Sequence, residues 1–231
     1  MRLKQWILLG CGVFTWANAG TLIDEMSACD QRFFNSLYEK GSAEPGFVRS
    51  DKAGGVAWFA VEDRFSEDEA SVYRFNTPIK EKGLSLIAYY DRYIDLRGFE
   101  LGEFYFWGFL AENNFDEVKA ALPNLAWRET SPDQSWSGGE WVRRSGNEPW
   151  KDNPIDMAGI LTPSGVMEKG FFIERLPDHP NQLWITCTIQ GSVTPAAIMQ
   201  DRPDLAPEVG EIENLESELK RMETADKARL D

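Results

Sequence analysis

Few side chains in this chain have the chemistry to attack, protonate or ligate, and their spacing narrows what they can do. The chain holds one histidine, His179, in Pro177-Asp178-His179-Pro180. Prolines on both sides read as a turn between strands. Nucleophilic catalysis of the Ser-His or Cys-His kind would have to run through that residue, and no G-x-S-x-G elbow accompanies it. Zinc needs Cys and His at short spacings, and calcium needs a regular run of oxygen ligands. Glu62-Asp63, Glu67-Asp68-Glu69 and Asp152 with Asp156 lack that regularity and read as solvated loops. Gly-rich phosphate loops and basic, aromatic patches for nucleic acid are missing as well. The reading is therefore no metal, no cofactor and no catalytic residue. One enzymatic alternative stands: Glu100, Glu103 and Glu112 flank an aromatic strand, and paired carboxylates hydrolyse glycosidic bonds.

The aromatic residues carry more information. Nine Trp exceed what a core of this size needs, and Trp and Tyr are enriched at binding hot spots. Trp127, Trp136, Trp141 and Trp150 fall among Gly, Ser, Pro and Asp. Segment Ser131 to Gly139 reads as an exposed loop with Trp136 as its anchor, and Asp133 and Glu140 supply acid beside it. These six residues form the candidate partner-binding set.

Residues 1–19 read as a secretory signal peptide. Arg2 and Lys4 precede an apolar run from Trp6 to Trp16, and Ala17-Asn18-Ala19 forms the cleavage site. The run is too short to span a bilayer, which takes about 20 apolar residues. Leu8-Leu9-Gly10-Cys11 also resembles a lipobox, a competing reading. Cleavage after Ala19 leaves Cys29 and Cys187, an even count that predicts a disulfide in a periplasmic or secreted protein. Removing residues 1–19, which hold two basic residues and no acid, takes the formal charge from −14 to −16. Such a field repels nucleic acid and anionic membranes and attracts a basic protein.

These residues need elements to position them. Leu22 to Lys40 reads as an amphipathic helix ended by Gly41. Strands are expected at Val56–Val61, Ser71–Thr77, Leu84–Leu96 (with Leu84, Leu86, Ala88 and Tyr90 on one face) and Gly102–Leu110. Asn114 caps a helix over Phe115–Leu122, which Pro123 stops. Further strands fall near Leu125–Glu129, Glu140–Arg144, Met157–Leu161, Met167–Arg175 and Leu183–Ile189. Thr194-Pro195 opens another helical turn.

The pattern predicts an α+β protein of two similar helix-plus-antiparallel-sheet halves, 20–112 and 113–200, with an acidic helical tail over 201–231. Thr77-Pro78 through Glu81-Lys82-Gly83 matches Thr162-Pro163 through Glu168-Lys169-Gly170. Gly54-Gly55 with Trp58 matches Gly138-Gly139 with Trp141, and helix 22–40 is echoed by 115–122. Such matches suggest an internal duplication. In architecture alone the arrangement resembles beta-lactamase inhibitor proteins, duplicated units with an aromatic concave face; that resemblance implies an inhibitor. Ile212, Leu215, Leu219 and Met222 make a short heptad seam suited to a homodimer or a partner contact.

The expectation is an exported, non-catalytic binding protein, an inhibitor or immunity protein for a basic secreted enzyme or toxin. A small-molecule or lipid-binding module, with a pocket between helix and sheet, is the alternative. The glycan-active enzyme comes third.

Overall fold

The computed structural model describes residues 20–43, 49–51, 55–144, 148–153, 161–177 and 179–206. The expected signal peptide, Cys11 and the heptad seam at Ile212, Leu215, Leu219 and Met222 lie outside the described residues.

The fold is α+β, as the pattern predicts. Its frame is an eight-stranded antiparallel sheet: β3 (Val72–Glu81), β4 (Leu84–Asp95), β5 (Glu103–Ala111), β6 (Arg128–Ser131), β7 (Ser135–Arg143), β8 (Lys151–Asp152), β9 (Met167–Leu176) and β10 (His179–Gly191). The spatial order is β3-β4-β5-β10-β9-β7-β6, with β8 also on β7. A two-stranded ribbon, β1 (Arg49–Asp51) and β2 (Val56–Trp58), stands apart from it. Helices α1 (Leu22–Met26), α2 (Gln31–Ala43), α3 (Phe115–Ala121) and α4 (Pro195–Asp201), with three short 3-10 turns at Glu69–Ser71, Arg97–Phe99 and Pro203–Leu205, complete the described elements.

The two middle strands, β5 and β10, pair antiparallel from Ala111↔Leu183 to Glu103↔Gly191. Each leads into a helix of seven residues, α3 behind the Asn114 cap and α4 behind Thr194. In both, the cap side chain accepts the N–H three residues on, which satisfies an otherwise orphaned donor. The motif matches that suggest duplication do not coincide in this frame. Gly83 sits in the β3–β4 turn at φ +84°, whereas Gly170 is buried within β9. Gly55 precedes β2 in the separate ribbon, whereas Gly138 and Gly139 lie within β7. The counterpart of α3 across the β5–β10 centre is α4, not the N-terminal helix.

The single helix expected over 22–40 is two. Cys29 breaks it in the left-handed region at φ 51°, and the chain restarts at Gln31. Cys29 is bridged to Cys187 of β10, with Cα atoms 5.3 Å apart at a sequence separation of 158. A bridge closing so long a loop stabilises by roughly 4 to 5 kcal/mol in the chain-entropy account. Around it, Phe33, Phe34 and Leu37 of α2 pack on Tyr89, Trp107 and Phe109 of the sheet, all fully buried.

The core therefore lies on one face of the sheet. Strand β4 reaches it through a register shift between Leu86 and Ala88. The shift puts Leu86 with Tyr89 toward the helices and leaves Ala88 and Tyr90 on the opposite face. The alternation expected for Leu84, Leu86, Ala88 and Tyr90 is broken for that reason, since one extra residue inverts the side-chain period.

Candidate functional site

The expected binding set was built around Trp136 in a loop. In the structure only Pro132–Gln134 turn; Asp133 adopts φ 54° and closes a tight hairpin from β6 into β7. Trp136 is thus a strand residue, paired with Ile173 and half-buried, with the Lys119 ammonium of α3 3.8 Å from its ring centroid. Trp127 donates from Nε1 to the Leu122 carbonyl at 3.2 Å and packs on Phe171. Trp150 donates to Asp201 at 3.0 Å and stacks on Arg143 at 4.1 Å. The Trp141 ring lies 5.5 Å from the Lys169 ammonium. All four indoles are half-buried and engaged within the chain. Asp133 is exposed, its carbonyl accepting from Arg175. Glu140 is buried and ion-paired with Arg128.

Two of these indoles belong to an internal clasp. Asp201 at the end of α4 accepts from Lys169 at 3.1 Å and Arg143 at 3.4 Å. Burial pushes both cations below their ordinary pKa ranges, and Asp201 opposes that shift. The next residue, Arg202, is fully buried and binds Asp91 at 2.8 Å and Asp204 at 2.7 Å. Its guanidinium stands 4.7 Å from the Trp107 ring centroid and 5.2 Å from that of Phe34. Desolvation disfavours its charge, but Asp204 and Asp91 overcome this and hold its pKa well above the usual range.

The face opposite the helices is different. Strand pairing places Tyr90, Phe104, Phe106, Phe172, Glu174, Trp184, Thr186, Thr188 and Gln190 on it, and α1 to α4 contribute their core residues to the other side. A cavity of about 170 Å³ lies over β10, between Phe106 of β5 and Phe172 of β9. Thr186 and Thr188 form its floor, Gln190 one end, and Glu174 with Ser135 and Thr130 the other.

Most polar groups here have partners. Thr186 is bonded by the Tyr90 hydroxyl, and Ser135 by Thr130 at 2.6 Å. Gln190 reaches Glu168 and Thr162, each at 3.1 Å. Two groups stand out. The Thr188 hydroxyl, on a residue only 6% exposed, has no hydrogen-bond partner. Glu174 keeps access to solvent, yet surrounding protein crowds its carboxyl and raises it above the usual carboxylate range. No cation pairs with it among the described residues. Glu140, from the expected set, lies on this same face through its pairing with Gly170.

A larger cavity, about 470 Å³, lies between Phe59–Glu62 and Val72–Arg74 at the β3 edge. Its charged residues are Glu62, which is exposed, and Arg74, already bonded to Glu69 at 2.8 Å. None of its lining side chains carries a buried, unpartnered polar atom like the Thr188 hydroxyl of the β10 cavity. The space between helices and sheet, where a lipid pocket was expected, is filled by Phe33, Phe34, Phe59, Tyr89 and Phe109, whose rings pack on one another.

Of the acids in the glycosidase alternative, Glu103 and Glu112 are not brought together. Glu103 and Glu112 stand at opposite ends of the nine-residue β5, about 30 Å apart by strand rise, whereas such pairs work at roughly 5 to 10 Å. Glu103 instead accepts from Tyr93 at 2.8 Å and Tyr105 at 3.3 Å. Glu100 is exposed in a left-handed turn. His179 is exposed at the start of β10 and pairs with Leu176, in the expected turn region. No cluster of metal-ligating residues occurs among the described residues, and no described helix is long and apolar enough to cross a membrane.

Leu183–Gln190 carried a signal for the β10 cavity: Leu183, Ile185, Cys187 and Ile189 alternate with Trp184, Thr186, Thr188 and Gln190. Strict alternation marks a strand with one face outside the core. No protein-family model, curated protein or solved structure matches this chain.

Proposed function

We propose that this is a non-catalytic binding protein, exported to a compartment that preserves the Cys29–Cys187 bridge, and that it recognises a basic protein through the helix-free face of its sheet. An inhibitor or immunity protein against a basic enzyme or toxin is the role that fits. One observation carries the reading: a cavity walled by Phe106 and Phe172 holds a crowded carboxylate, Glu174, without an internal cation. A chain of net charge −14 adds a field that speeds encounter with a cationic partner. Aromatic walls around a charge that the partner then desolvates are the usual make-up of a hot spot. In this reading the indoles of Trp127, Trp136, Trp141 and Trp150 hold α3, α4 and the sheet together rather than contact the partner.

The test is affinity capture from envelope fractions and culture fluid at low salt. Wild-type protein should retain one basic protein in stoichiometric amount, released by high salt. The Phe172→Ala/Glu174→Gln double variant should not retain it. Failure to recover any basic protein, or equal recovery by the double variant, would contradict the proposal.

A further inference from the structure

We infer that the cavity over β10 receives one arginine side chain of the partner, with Glu174 as its counter-ion and Thr188 as a second acceptor. The inference deepens the reading above and rests on it for the partner being a basic protein.

Charge supplies the first argument. Asp91, Glu140, Asp201 and Asp204 are buried acids that each meet an internal cation, and the buried Glu168 accepts from Thr162 and Gln190 instead. Glu174, an exposed residue whose carboxyl is crowded by the sheet, has neither kind of partner among the described residues. A cation placed beside such a carboxyl favours its ionised form. The second argument is independent of charge. The Thr188 hydroxyl is buried and unpartnered, on a residue that lines the same cavity. Buried polar groups in folded proteins almost always have a partner, so an external donor is the natural complement.

Size and shape narrow the occupant. At about 170 Å³ the cavity is below the 300–1,000 Å³ typical of sites for whole small molecules; it suits a single side chain. Glu174 pairs with Trp184, four residues along β10 from Thr188, which is about 13 Å of strand. An arginine side chain covers part of that length and the partner's flanking main chain the rest: the guanidinium meets Glu174, and a neighbouring main-chain amide donates to Thr188 Oγ1. The stem then lies between Phe106 and Phe172. Guanidinium stacks on aromatic faces and forks onto carboxylates, which a lysine ammonium does less well.

The probe is the tripeptide acetyl-Gly-Arg-Gly-amide, with the citrulline peptide as its neutral isostere, titrated into the full protein and followed by amide NMR. The arginine peptide should shift Phe172, Thr186 and Thr188 saturably, and the citrulline peptide should bind at least about tenfold more weakly. Glu174→Gln should erase that preference, and Thr188→Val should weaken both peptides several-fold. Unchanged spectra away from the cavity would confirm that the variants are folded. Absence of a saturable shift, equal binding of both peptides, or indifference to Glu174→Gln would overturn the inference. Peptide binding without any captured basic protein would retain the pocket and end the partner reading; a captured protein indifferent to Glu174→Gln would do the reverse.

Discussion

On the helix side of the sheet, Asp91, Asp201 and Asp204 are buried against Arg202, Lys169 and Arg143, and the cations rest on Trp107, Phe34 and Trp150. On the other side, over β10, aromatic rings again border a carboxylate, but Glu174 is an exposed residue and has no cation within the described chain. The same parts occur in both places, and only one set is complete. A completed ionic cluster holds a fold; an incomplete one costs stability and is retained where something outside supplies the missing charge.

Removing a charge should therefore have opposite consequences on the two faces. Arg202→Leu leaves Asp91 and Asp204 buried without their shared partner, and should cost about 3 to 5 kcal/mol in urea unfolding. A loss below about 1 kcal/mol would mean that the cluster is not what secures the segment after α4. Reducing the Cys29–Cys187 bridge should cost about 4 to 5 kcal/mol, read by the shift in urea midpoint between oxidised and reduced, alkylated protein. Trp150→Phe keeps the ring over Arg143 but deletes the hydrogen bond to Asp201, a loss of about 1 to 2 kcal/mol with no change in partner affinity.

Changes over β10 should be small or favourable for stability. Thr188→Val removes an unpartnered hydroxyl and should gain up to about 1 kcal/mol in the same unfolding assay. Glu174→Gln acts through pH. The folded carboxyl titrates above its ordinary value, so the folded state binds more protons than the unfolded state in the window just above the usual carboxylate pKa. Stability contributed by protonated Glu174 is complete below that value and is lost as pH rises through the raised one. Glu174→Gln should flatten this decline and be slightly more stable than wild type at neutral pH. A steeper decline in the variant would show that Glu174 is paired after all.

Local signals in the sequence proved legible, and distant ones did not. Asn114 and Thr194 are caps because a short side chain answers a nearby N–H, which needs no knowledge of the rest of the fold. The Cys29–Cys187 bridge followed from there being two cysteines to pair. Trp136 was misplaced because Ser, Pro and Asp before it resemble a loop, whereas the turn takes only Pro132–Gln134, with Asp133 left-handed, and β7 begins at Ser135. Its partner Lys119 stands on another element. The split of α1 from α2 at Cys29 was equally hidden, since apolar spacing continues across the break. The alternation in β10 was readable; the walls from Phe106 and Phe172 became visible only once β5 and β9 were placed on either side of it.

The account stands most directly on affinity measured for two pairs of variants against the captured basic partner, in one assay at low salt. Phe172→Ala and Glu174→Gln, over β10, should each weaken binding by more than about 1 kcal/mol while the protein stays as stable as wild type or nearly so. Trp136→Ala and Trp150→Phe, on the helix side, should lower the unfolding free energy and leave affinity unchanged. The reverse pattern, with indole variants losing the partner and the β10 variants keeping it, would contradict the assignment of binding to the helix-free face.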